Sequence, residues 1–89
     1  MKDVWIVKYG EHTIRIVNTW TNVKLFVDGV LQDEQVGLHF TSRLFGKVKN
    51  DNGEYEDIKV SIGIYFCEMQ CRIFVGESLL YTTELQWNG

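Results

Sequence analysis

The chain has 89 residues, 9 basic against 12 acidic side chains for a formal net charge of −3, two cysteines, twelve aromatics, and neither proline nor alanine. At 45% apolar and 24% charged it falls in the globular range, which excludes intrinsic disorder and predicts one small domain over residues 1–89. Its lysines and arginines are scattered singly in a mildly acidic chain, so the electrostatic footprint of a nucleic-acid binder is missing and no nucleic-acid partner is expected.

No stretch approaches the length of an apolar membrane span. The start, Met1-Lys2-Asp3, lacks the basic segment and apolar run of a signal peptide, which makes the expected address cytoplasmic. A domain this short buries only a little over ~60% of the surface its unfolded chain exposes, so large side chains must build the core. Ten valines, seven isoleucines, six threonines and twelve aromatics supply them, 35 residues that favour a pleated surface. No segment repeats apolar residues at helical spacing over three turns, and the class is all-β.

In chain order, Val4, Ile6 and Lys8 alternate with Trp5, Val7 and Tyr9, and Gly10-Glu11 makes a tight turn. A second strand follows, with His12, Ile14, Ile16 and Asn18 on one face. Thr19 to Asn22 is a polar connection carrying Trp20. Val23, Leu25 and Val27 then oppose Lys24, Phe26 and Asp28, and Asp28-Gly29 is a strong two-residue hairpin signal that returns Val30 to Asp33. A long connection over Leu31 to Thr41 leads on.

The second half opens with a strand from Ser42 to Lys49, where Gly46 signals a bulge or a close backbone approach. Asn50 to Gly53 is a turn. Ile58, Val60, Ile62 and Ile64 then face inward, Cys67 to Cys71 reads as the next reversal, Arg72 to Val75 as a strand, Gly76-Glu77 as a turn and Ser78 to Thr83 as the last of eight strands. Lys24 to Gly29 matches Arg72 to Glu77 at an offset of 48, and Gly10-Glu11 matches Gly53-Glu54 at 43. The expected architecture is an eight-stranded antiparallel sandwich or flattened barrel made of two meander halves.

Val4-Trp5-x-Val7, Gly10-x-His12-x-Ile14, Val27-Asp28-Gly29, Leu44-x-Gly46-Lys47, Ile58-x-Val60 and Gly76-x-Ser78-Leu79, in this order and spacing, resemble one domain of the Fas apoptotic inhibitory molecule family. The resemblance spans nearly the whole chain, although that family carries two such domains where this chain has one. It implies an all-β, non-enzymatic fold that acts through protein contacts, in the regulation of cell death and in holding back aggregation. Its shared motifs are structural and transfer no site residue.

Chemical constellations are thin. Cys67 and Cys71 flank a three-residue loop and could face each other across a hairpin at disulfide-compatible distance, or remain two partly buried thiols, the reading taken here. A zinc site with His12 and His39 lacks ligand spacing, and the reading is no metal and no cofactor. His12 is expected at the sheet rim, bonded to a backbone group. Ser42, Ser61 and Ser78 sit in no nucleophile elbow, and Asn50 to Gly53 is only a faint echo of a calcium loop, so an enzyme is not expected. Twelve aromatics exceed the needs of one small core. Trp5, Trp20, Phe26, Phe74 and Trp87 fall in connections, near the tail or on the polar-alternating faces, and are the candidate binding residues. Two readings follow: a self-associating protein-interaction domain, or a carbohydrate- or small-ligand-binding sandwich with Trp20 and Trp87 as a stacking platform.

Overall fold

A computed structural model describes residues 2–37, 41–65 and 68–82. Its elements are all strands: β1 (Lys2–Tyr9), β2 (His12–Thr19), β3 (Asn22–Val27), β4 (Val30–Val36), β5 (Thr41–Lys49), β6 (Tyr55–Tyr65), β7 (Glu68–Val75) and β8 (Ser78–Thr82). They form two antiparallel four-stranded meanders, β1-β2-β3-β4 and β5-β6-β7-β8. Among the described residues the sheets do not close into a barrel, and the arrangement is that of a two-sheet sandwich.

Alternation decides which face is buried. On the first sheet Ile14, Ile16 and Leu25 are fully buried, and on the second Leu44, Val60 and Ile73 are, so each apolar face is covered by the other. Trp5, Val7 and Tyr9 of β1 pack against this core from the edge. Asn18 is the exception on the inner face of β2, since its Nδ2 is buried without a hydrogen-bond partner among the described residues.

The hairpin between β3 and β4 turns on Asp28 and Gly29, with φ of 51° and 83°. Two consecutive positive values are what a type I′ turn demands, and Asp and Gly tolerate them best. Thr19 organises the β2–β3 turn: its hydroxyl accepts from the Asn22 N–H at 3.2 Å.

Both sheets share an internal register. Arg15 pairs with Phe26 and Phe26 with Leu31, while Lys59 pairs with Phe74 and Phe74 with Leu79. Each sheet carries a bulge immediately before its phenylalanine, at Leu25/Phe26 and at Ile73/Phe74. The Asp28 N–H donates to the Thr13 carbonyl at 2.9 Å, and the Gly76 N–H donates to the Asp57 carbonyl at 2.8 Å. The offset of 48 is therefore structural. The match of Gly10-Glu11 with Gly53-Glu54 slips by one residue, because Arg15 and Lys59 set the offset of β2 to β6 at 44.

Several expectations are corrected. The first hairpin strand does not stop at Asp33, since β4 runs to Val36 and shortens the long connection. Gly46 stays in register with Ile58, so it marks close approach and not a bulge. Ile64 has inward parity yet is 45% exposed near the end of the longest strand. The reversal at Cys67–Cys71 is displaced: β7 begins at Glu68, and Cys71 lies inside it opposite Ile62, with a cross-strand partner that is not a cysteine. Cys67 and Thr83 lie outside the described residues.

Candidate functional site

The five aromatic candidates do not converge. Trp5 is on the inner face of β1, half-buried against the core, because its register partner Ile16 faces inward. This overturns its expected place on an exposed face. Trp20 is 60% exposed in the β2–β3 turn. Trp87, and with it the Trp20–Trp87 platform, lies outside the described residues. Phe26 and Phe74 point away from the core as expected, but on different sheets, and each is half-buried beneath a cation. The Arg15 guanidinium sits 4.5 Å from the Phe26 ring centre, and the Lys59 ammonium 5.0 Å from that of Phe74. Such contacts attract the cation to the negative ring face and shield the ring from water.

What the register does assemble is a pair of outer faces on which apolar and basic side chains are interleaved. On the first sheet Val4 pairs with Val17, and the next row runs Ile6, Arg15, Phe26, Leu31. Ile6 is 63% exposed, and Val4 and Leu31 are exposed as well. Arg15 lies over the Phe26 ring, Lys24 lies 3.9 Å from Glu34, and Lys2 and Lys8 share the outward parity of β1. On the second sheet the corresponding row is Phe45, Lys59, Phe74, Leu79, bordered by Arg43 and Arg72 on one side and Lys47 on the other. A cleft of about 680 Å³ opens there beside Phe45, with Lys47, Asp57 and Lys59 in its wall. Linear reasoning missed Val4, Ile6, Leu31 and Phe45, whose only sequence signal was an apolar residue at an outward position.

At one end of the first sheet, His12 Nδ1 and Asp28 Oδ2 are 2.6 Å apart, and the Thr13 N–H donates to Asp28 Oδ1 at 2.8 Å. An ionised carboxylate only accepts, so the imidazole carries the bridging proton. The hydrogen bond from His12, followed by that from Thr13, lowers the Asp28 pKa below its ordinary 3.8. The expected backbone partner of His12 is thus replaced by a side chain. Asn50 Oδ1 accepts from the N–H groups of Asn52 and Glu54 at 2.9 and 3.0 Å, which commits it to the turn. Burial pushes the Cys71 thiol up to about 12, far from the thiolate that nucleophilic or metal chemistry needs.

Among the described residues, no three His, Cys, Asp or Glu side chains gather as a metal-ligand set, and no helix is long and apolar enough to cross a membrane. No protein-family profile, curated protein or solved structure matches the chain.

Proposed function

We propose that this domain is a non-enzymatic protein-interaction module that pairs with a second copy of itself through the outer face of β1–β4. The observation that carries the reading is the row Ile6–Arg15–Phe26–Leu31 with Val4 and Val17 beside it, an apolar patch on a sheet face that antiparallel proteins ordinarily keep polar. A two-fold pair presents the same patch to itself, so the patch must not repel its copy. The apolar row meets that condition in its own contacts, because its one cation, Arg15, lies over the Phe26 ring and the neighbouring Lys24 is 3.9 Å from Glu34.

A four-stranded face about eight residues long spans roughly 27 by 19 Å. That area lies at the low end of specific interfaces, which points to a reversible dimer of micromolar strength. The resemblance to the Fas apoptotic inhibitory molecule family supports the same class of function.

Light-scattering mass across a concentration series tests it. The expected result is a monomer that becomes a dimer, with dimer lost in Ile6→Lys/Leu31→Lys while the urea midpoint is held. A chain that stays monomeric at all concentrations, or a dimer indifferent to both substitutions, overturns the reading.

A further inference from the structure

Folding gathers what the linear sequence scatters. Arg43, Lys47, Lys59 and Arg72 come from three strands, and their register places all four on the outer face of the second sheet. Asp57 stands among them, paired with Lys47 at 2.8 Å, and Arg72 has an interaction of its own. Two phenylalanines interleave with these cations. Phe45 is 57% exposed, and Phe74 is roofed by Lys59. A net-acidic chain thus places five of its nine basic residues, Lys49 included, beside aromatic rings on one sheet face.

We infer that this face, built on Phe45, Phe74, Arg43, Lys47, Lys59 and Arg72, binds a single strand of nucleic acid. Phe45 and Phe74 stand two strands apart, about 10 Å, too far to stack on one another and spaced for each to take its own base. Stacking on Phe45 places a base over an open ring at the mouth of the cleft, with Lys47 and Lys59 beside it for the flanking phosphates. Lys59 leaves the Phe74 ring for a phosphate as a second base replaces it, and the exposed Lys47–Asp57 pair yields at little cost. A duplex fits poorly, because its bases are already stacked and a flat sheet face reaches neither groove. The surface lies on the other sheet from the proposed self-association face and does not depend on it.

The test is fluorescence anisotropy of a labelled mixed-sequence single-stranded 12-mer, as DNA and as RNA, against the purified protein at about 50 mM salt. Saturable binding is expected. Release of counterions from three phosphates predicts a roughly 20-fold loss of affinity on raising salt to about 200 mM. Phe45→Ser should weaken binding about tenfold, the loss of one base stack, and Arg43→Glu should weaken it and flatten the salt dependence. Both positions are exposed, and circular dichroism confirms that each variant is folded. Val30→Ser, at the exposed β3–β4 hairpin of the other sheet, should leave binding unchanged.

Three results overturn the inference. They are no saturation at protein concentrations near 10⁻⁴ M, the weak end of non-specific binding; equal affinity for the duplex; or full affinity in Phe45→Ser together with heparin binding as tight as the strand, which would mark a polyanion surface only.

Discussion

Gln32 stands over Gly46, and the two residues close the seam between the sheets. A Cβ at position 46 would lie 2.6 Å from Gln32 Oε1 and 3.0 Å from Leu25 Cδ2. The same Oε1 accepts from the Lys47 N–H at 2.7 Å, and the neighbouring Asp33 Oδ2 accepts from the Phe45 N–H at 2.8 Å. Side chains of β4 therefore satisfy two outward amides of β5, those of Phe45 and Lys47, on an edge strand that would otherwise be a template for another chain. A side chain here would have to displace the Gln32 amide and crowd Leu25.

Gly46→Val is accordingly expected to destabilise the domain by roughly 1–3 kcal/mol, the ordinary cost of overpacking. Gln32→Ala should cost about 1 kcal/mol by removing one hydrogen bond at an exposed site. Urea denaturation measures both. If Gly46→Val is neutral, the seam is looser than its geometry states.

Asn18 occupies the position on β2 that Ile62 occupies on β6. Its buried Nδ2 lacks a partner among the described residues, whereas Ile62 contributes apolar surface at no such cost. Asn18→Val should therefore stabilise the fold by about 1–2 kcal/mol, read as a raised midpoint at unchanged slope. A loss of stability would show that the amide is satisfied in solution.

Asp28 titrates below its ordinary value because His12 and the Thr13 N–H bond to its ionised form. A lowered native pKa means that this stabilisation is present above the unfolded value of 3.8 and is lost as pH falls through the native value. Asp28→Asn keeps a residue that tolerates the positive φ of 51° and removes the titration. Chemical denaturation at pH 6, 4 and below should show the acid-side fall of the wild type flattened in the variant. Parallel pH profiles would remove Asp28 from the acid response.

Cys71 is fully buried on the inner face of β7, and burial raises its thiol pKa to about 12. It should react with a thiol reagent only through global opening, so its rate should rise with urea in step with unfolding. Cys71→Ser should cost about 1–3 kcal/mol, because a hydroxyl replaces a small apolar group among Ile and Val side chains. Fast modification in native buffer would place the thiol at the surface.

Alternation made much of the fold legible. Ile14 and Ile16, Leu25 and Val27, Ile58 and Val60, and Ile73 and Val75 read as the inner set and are buried. Asp28-Gly29 read as a hairpin and adopts the required positive φ. Both signals are local: a period of two residues, and the steric allowance of one dipeptide. Phe26 and Phe74 likewise read as outward, and they are.

Tertiary structure alone decided what lies beside those outward residues. No spacing in the chain announces that Arg15 covers Phe26, that Lys59 covers Phe74, or that Asp28 is held by His12 sixteen positions earlier. Nor does it reveal that four separated cations share a face with Phe45, or that β4 side chains cap β5. Alternation assigns a residue to one of two faces, but neighbours on a face come from inter-strand register. A shift of one residue in that register exchanges every pair. Cys71 shows the consequence: two cysteines four apart suggested a reversal, and the register of β7 against Ile62 instead set the second one deep in the core.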